Sequence, residues 1–369
     1  MVAFPGMPSL PRLVQVVPRP DRGLVGPAPA EVRRVLVVPP PRLGDLVLAL
    51  PALAALRHAY PRAWLAVVAT PLSAPLARLS PAVDQVLVHA DGFSDSEALL
   101  RTFRPTVLLA QAPTLALAWA ARRGRVPLSV GPGDHAFSRL FTRRVAARAV
   151  RGLHQVEEGL AYAHLAGVRP GPAAFPLQVP AEIDAGLAHW RAAHQVPERY
   201  VVLHAGHGGS SPAWPLLHFL RLAALLDAEG LPVVLSIGPA DRAVWNALDR
   251  AELPIRRLPR LAAELPVLAA LLRSAAVLIG NTSGPVHLAA ALGTATLAFH
   301  PPGPLYGPER CGPYARNGWA LVADADRGHV WHRRSRRAAT SLLEGISPAA
   351  ALACVLDLAE GREPRLPPV

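Results

Sequence analysis

Apolar and polar positions alternate along this chain in blocks rather than residue by residue. Short runs rich in Val and Leu are each followed by a longer stretch in which apolar positions recur at helical spacing. A short run bounded by turn residues predicts a strand buried on both faces, and the periodic stretch predicts a helix. Strands are expected near 33–38, 63–69, 84–88, 106–110 and 126–130, with helices near 45–59, 72–79, 94–103, 113–123 and 154–166. Pro51 should kink or split the first of these helices. A second series places strands near 200–205, 232–237, 254–258, 275–279 and 294–299, with helices near 181–195, 215–229, 240–251, 264–273 and 285–292. Repeated strand–helix units imply α/β architecture: two doubly wound, Rossmann-like parallel-sheet domains with helices on both faces. The aperiodic, Pro-rich stretch Val168–Pro180 predicts the link between them, giving domains over 31–170 and 183–369 with a linker at 171–182. Residues 1–30 read as a flexible Pro-rich extension.

One connection is more informative than the rest. Ala275–Gly293 reads AAVLIGNTSGPVHLAAALG: a buried strand, a loop of small residues, then a short helix with Pro285 in its first turn and Gly293 as its left-handed cap. Free backbone N–H groups and the positive end of a helix dipole then share one crevice, the geometry that binds phosphate. His287, one turn into the helix, would reach it. An ordinary strand-to-helix turn reads the same way, and His287 would then be a packed histidine. A second connection of this kind lies near the N-terminus, where the strand Arg33–Val38 and the loop Pro39–Gly44 lead into a helix opened by Asp45.

Composition narrows the chemistry. The 369 residues have room for two domains, and 51% hydrophobic residues suit buried parallel strands. Each apolar run is broken before the ~18–20 residues that span a bilayer, and no secretory signal is visible, so a cytoplasmic location is expected. The two cysteines, Cys311 and Cys354, imply neither a disulfide framework nor a metal site. Net charge is +12, and all 38 basic residues are arginine. Without lysine there is no Schiff base and no phosphate-binding lysine, so cationic roles fall to Arg or His. Such a surface suits phosphorylated substrates, anionic lipid or nucleic acid, but wholesale replacement of Lys by Arg is the simpler explanation. Nucleic-acid binding rests on charge alone and is not expected. Arg333–Arg337 is a local basic run. Metal-ligand spacing, a nicotinamide-binding G-x-G-x-x-G, a G-x-S-x-G elbow and a Walker A motif are all missing from the sequence.

Several segments, in this order, resemble the glycosyltransferase family 9 heptosyltransferases: Arg42-Leu43-Gly44-Asp45 with Pro51-Ala52-Leu53, His154-Gln155-Val156-Glu157, Trp214-Pro215, Gly280–His287, and Gly307-Pro308-Glu309-Arg310 with Gly312-Pro313. The resemblance covers about residues 33–325. It implies the GT-B fold, in which the two domains face a cleft and the last helix, near Ser347–Gly361, crosses back onto the first domain. It also implies an inverting, metal-independent transferase with no cofactor. Such an enzyme moves a heptose-like sugar from a nucleotide diphosphate donor to a cell-envelope glycan or lipid-linked acceptor. With such an acceptor, the arginine surface would aid peripheral contact with the inner face of the membrane.

The candidate residues follow. Asp45 is a helix cap or dipole partner on sequence grounds; the resemblance makes it the general base that deprotonates the acceptor hydroxyl. Arg42 offers a bidentate fork to a phosphate or acidic sugar and, with Gly44, is assigned to the acceptor. Thr282, Ser283, Gly284, Pro285 and His287 are assigned to the donor pyrophosphate. His204, Ser210 and Ser211 lie in a loop, His204–Trp214, whose glycines and hydroxyls suit an anionic ligand; a surface turn explains that loop as well. The resemblance adds Glu309 to the donor site. Two positions depart from the family pattern: Pro212 stands where it has Lys, and Thr282 where it has Asp. Both residues contact the donor in the family, so a silent nucleotide-sugar or glycan-binding protein remains the rival function.

Overall fold

The computed structural model describes residues 27–28, 30–89, 95–169, 171–206, 208–209, 211–238, 258–323 and 336–364. The expected helix 240–251, nearly all of the strand 254–258, most of the N-terminal extension and Ser210 lie outside these residues. The chain divides between Gln178 and Val179 into two units, each built around its own sheet.

In the first unit the chain runs β1 (Arg34–Val38), α1 (Leu43–Ala59), β2 (Trp64–Ala69), α2 (Ala74–Ala77), β3 (Gln85–Val88), α3 (Ser96–Phe103), β4 (Val107–Ala110), α4 (Leu115–Arg123), β5 (Leu128–Pro132), a 3-10 turn (Ser138–Leu140), β6 (Arg143–Val145), α5 (Ala147–Val150) and α6 (Gln155–Leu165). The strands pair in parallel in the order β3-β2-β1-β4-β5-β6. Register is set by apolar residues in line, with Val35 beside Leu65 on one side and Val107 on the other. The central strands are buried on both faces, as their unbroken Val/Leu runs require. α1 is not split at Pro51 but runs through it; Pro51 is buried, and this packing outweighs the one lost backbone hydrogen bond. α1 packs on α6 at Gly159, where an added Cβ would stand 3.8 Å from Ala52 Cβ and 3.1 Å from the Gln111 side-chain nitrogen.

The second unit runs α7 (Ala181–Ala193), β7 (Val201–His204), α8 (Leu216–Ala228), β8 (Val233–Ser236), β9 (Arg260–Leu261), α9 (Leu265–Ser274), β10 (Val277–Asn281), α10 (Gly284–Ala291), β11 (Ala295–His300), α11 (Pro308–Cys311), β12 (Gly318–Val322), α12 (Arg336–Leu343) and α13 (Pro348–Ala359). Its parallel sheet is ordered β12-β11-β10-β7-β8-β9. Counted within the unit, this is the same winding as the first. Trp214, Phe219 and Phe299 form an aromatic centre in its core, with Trp214 stacked on Phe299 at 4.0 Å between ring centroids. In the last described helix, α13, Ala351, Cys354, Val355 and Leu358 are buried in the second unit's core.

Candidate active site

In each sheet the winding reverses once, between β1 and β4 and again between β7 and β10. Open α/β sheets bind ligands at the carboxyl ends of the strands flanking such a reversal. Most of the residues singled out by sequence stand on the connections leaving these four strands.

At the first reversal, β1 delivers the chain through residues 39–42 into α1. The helix opens two residues earlier than expected, with Arg42 in the cap position and exposed, and Asp45 in the first turn rather than at the cap. Gly44 and Asp45 are half-buried. Gln155, the first residue of α6, donates from Nε2 to Asp45 Oδ1 at 3.3 Å. The start of α6 is held by reciprocal bonds: the Val156 N–H donates to His154 Nδ1 at 3.2 Å, and the His154 N–H to Glu157 Oε2 at 3.2 Å. Burial raises the Glu157 carboxyl above its ordinary range, and the bond from His154 partly offsets this. Asp45 therefore lies where two helix N-termini favour a negative charge. Gln111, just past β4, continues the ladder by donating its N–H to Val38 O at 2.9 Å, and its side-chain oxygen is buried without a partner among the described residues. Neither glutamine's role could be read from sequence, because each depends on residues far along the chain.

At the second reversal a tight arrangement surrounds β10. Gly280 is obligatory: an added Cβ would stand 2.9 Å from Val286 Cγ2 and 3.1 Å from His204 O. Asn281, expected to open the loop, is the last residue of β10 and fully buried. Its Oδ1 accepts from the Trp214 N–H at 2.7 Å and its Nδ2 donates to Ala205 O at 2.9 Å, tying both ends of the 205–214 loop to the strand. Ser211 Oγ adds a bond to Thr282 O at 2.7 Å. Ser211, Thr282, Ser283 and Gly284 are thereby brought together. Ser283 caps the N-terminus of α10 by position only: its side chain makes no cap bond, and its Oγ is buried without a partner among the described residues. Gly284 and Pro285 form the first turn, with Pro285 buried. Helix starts leave backbone donors unused, so this end of α10 offers N–H groups and a positive dipole to an anion.

The histidines are placed deeper than the sequence suggested. His204 is 3% exposed, with its Nδ1 2.8 Å from Ser236 Oγ at the end of β8. His287 is 6% exposed, in the second turn of α10. Pro212 is buried, so no cation stands where the family pattern has lysine. Thr282 turns its hydroxyl inward, 3.3 Å from Phe299 O and 3.2 Å from the ring of His300. His300 is fully buried and bonds Tyr306 O through Nδ1 at 2.9 Å; burial drives its pKa down to about 4, so the ring is neutral. This bond anchors the loop that leads to α11, on which Glu309 is exposed. Glu309 stands on this separate short helix, past β11.

A comparison with protein-family models matches Glycosyltransferase family 9 (heptosyltransferase) over residues 115–338. No curated protein matches the chain. Among solved structures, a family 9 glycosyl transferase from Veillonella parvula is similar at TM-score 0.73 and 19% identity, covering 89% of this chain and 97% of that one. The E. coli ADP-heptose lps heptosyltransferase II gives 0.71 and 22%, covering 89% and 99%. The E. coli heptosyltransferase WaaC with ADP gives 0.63 and 20%, covering 86% and 97%. These likenesses establish the fold as that of the GT-B heptosyltransferases. Since the family match spans more than half of the chain, the protein belongs to glycosyltransferase family 9, the heptosyltransferase family, and is a glycosyltransferase.

Proposed function

We propose that the chain is an inverting glycosyltransferase that moves a heptose-like sugar from a nucleoside diphosphate donor to a cell-envelope glycan or lipid-linked acceptor. The observation that carries this reading is the start of α10, where Ser283 Oγ and the first-turn backbone face a sheet reversal with no side-chain cap in use. An anion completes such a site, and a sugar nucleotide brings two phosphates. One of the similar structures, WaaC, was solved with ADP and another with ADP-2-deoxy-2-fluoro heptose, which favours an adenine nucleotide as the first donor to try.

In this scheme Asp45 takes the proton from an acceptor hydroxyl while that oxygen attacks the anomeric carbon from the face opposite the diphosphate. The new glycosidic C–O bond forms as the bond to the diphosphate oxygen breaks, and the configuration inverts. Gln155 holds the carboxylate in place, Arg42 and the Gly44 backbone serve the acceptor, and the α10 N-terminus offsets the leaving-group charge. Thr282, Ser283, Gly284, Pro285, His287 and Ser211 form the donor side, with Glu309 at its margin and His204 acting beneath it through Ser236. The reaction as written uses no metal or cofactor.

Thermal shift against nucleoside diphosphates and their sugars tests the donor half. A ligand at about 100 Kd adds roughly 2.7 kcal/mol of apparent stability, and this gain should survive Asp45→Ala. A buried Pro212 and an inward-facing Thr282 favour one rival, donor binding without transfer. A protein that binds a donor yet forms no product with any acceptor would be that rival. Product formation that disappears in Asp45→Ala excludes it.

A further inference from the structure

The outward face of α4 is chemically unlike an ordinary solvent-facing helix. Leu117, Ala118, Ala120 and Ala121 are buried, and Thr114 caps the start by accepting the Leu117 N–H at 3.1 Å. The other face carries Leu115, Ala116, Trp119, Arg122 and Arg123, all exposed, with Leu115 at 56% and Trp119 at 55%. It therefore presents a leucine and a tryptophan one turn apart, then arginines one turn further on, and no acidic residue.

Beside the end of this helix, Arg122, Arg125 and Arg139 line one surface cavity together with Ser129, Phe141 and Thr142. Among the described residues the lining contains no carboxylate. Ser129 and Thr142 spend their hydrogen bonds on each other's backbones, which fixes this part of the lining. Arg125 is held at φ 49°, a left-handed conformation unusual for a side chain of its kind. The nearest acidic residues in sequence are occupied or on other elements: Asp134 pairs with His135, Asp95 caps α3, and Glu97 lies in the first turn of α3. Arginine forks suit a phosphate monoanion or diester, which accepts paired N–H donors, and three arginines line this one cavity.

We propose that the outward face of α4 and this arginine-lined cavity form a docking surface for an anionic bilayer. A phospholipid headgroup phosphate occupies the cavity, and Trp119 and Leu115 enter the headgroup–acyl boundary. Charge complementarity selects this occupant. The apolar pair adjoins arginines that have no ion-pair partner among the described residues, the pattern of an interfacial contact, where tryptophan is favoured. No helix among the described residues is long and apolar enough to cross a membrane, so the contact is peripheral. The inference deepens the reading of a lipid-linked acceptor, but it is scored by binding and not by transfer. Failure here leaves the transferase reading intact, and failure of the transfer assay leaves this surface intact.

The test is cosedimentation of the full chain with vesicles of phosphatidylcholine, alone or mixed with phosphatidylglycerol. Wild type should bind the anionic vesicles and leave the neutral ones. Each arginine near an anionic surface contributes about fivefold in partitioning, so the triple variant Arg122→Ser/Arg125→Asn/Arg139→Ser should lose roughly a hundredfold. Leu115→Ser/Trp119→Ser should also lose binding, and its spectrum subtracted from wild type should show a blue shift of Trp119 on lipid. A control carrying the same charge change elsewhere, Arg148→Ser/Arg151→Ser/Arg169→Ser, should bind nearly as wild type. All of these positions are exposed, so folding is checked by circular dichroism before comparison. Equal losses in the control and cavity variants would overturn the proposal, since net charge alone would then account for binding. So would unchanged binding in Leu115→Ser/Trp119→Ser, or a wild-type dimer that this double variant dissolves. A cavity that binds inorganic phosphate while the chain ignores anionic vesicles would overturn it too.

Discussion

Replacing Asn281 with alanine should destabilise the second unit more than its size suggests. The side chain is 0% exposed and is the partner of two buried backbone groups, the Trp214 N–H at 2.7 Å and Ala205 O at 2.9 Å. Trp214 and Ala205 are themselves only 1% and 6% exposed, so water cannot readily replace the lost partner. Stranding a buried donor or acceptor costs about 1–3 kcal/mol each, giving about 4 kcal/mol for the pair. In a domain of this size each kcal/mol moves the melting temperature by about 2–4 °C, so the transition of this unit should fall by roughly 10 °C. Differential scanning calorimetry of the full chain reads that shift. Hydrogen exchange across 205–215 locates it, because the Trp214 amide should lose protection. A shift under about 2 °C with Trp214 still protected would refute the reasoning, since the two bonds would then have little net value.

Three further outcomes follow from the same geometry. Gly280→Ala should drive the start of α10 away from β10, because the new Cβ would stand 2.9 Å from Val286 Cγ2 and 3.1 Å from His204 O; a cost of about 1–3 kcal/mol and weakened nucleotide binding are expected, and wild-type values for both would count against it. His300, at about 4 against an ordinary 6.5, makes the unfolded state the better proton binder, so its contribution is complete above pH 6.5 and about 3 kcal/mol is lost by pH 4; His300→Gln should flatten this part of the stability–pH curve, and an unchanged slope would contradict the assignment. Gln155→Ala should lower kcat several-fold with donor KM unchanged, and Gln155→Asn should not recover the rate, since its shorter side chain cannot span the present 3.3 Å contact; equal effects on kcat and KM would point to a structural role instead.

Much of this architecture was legible because parallel strands announce themselves. β1, β4, β7 and β10 each carry a run of three or four Val, Leu, Ile or Ala residues, the pattern of a strand buried on both faces. Strands that lack such a run are harder to read from the sequence. β6 is Arg-Arg-Val at the sheet edge, and β12 is only partly buried, so neither needs a continuous apolar run. The end of β10 is not legible because Asn281 has the side chain of a loop residue, while its amide is satisfied inside the fold by a residue 67 positions away. The candidate site was legible as two loops, but not in its detail. His204 and His287 carry side chains that suit a ligand, yet burial, which no local pattern reveals, places them within the packed structure. The residues that fix the geometry, Gln155 and Ser236, act through contacts 110 and 32 residues apart.

The most direct test of the central claim is sugar transfer by full-length protein carrying Asp45→Asn, measured by mass spectrometry of the glycosylated acceptor once a donor has been identified by binding. Loss of a positioned general base typically costs about 10²–10⁴-fold in rate. A loss in that range is expected, with the donor Kd within about twofold of wild type, since the residues proposed for the donor belong to the other unit. Transfer at an undiminished rate would contradict it, removing Asp45 from the chemistry and leaving the base to be sought elsewhere.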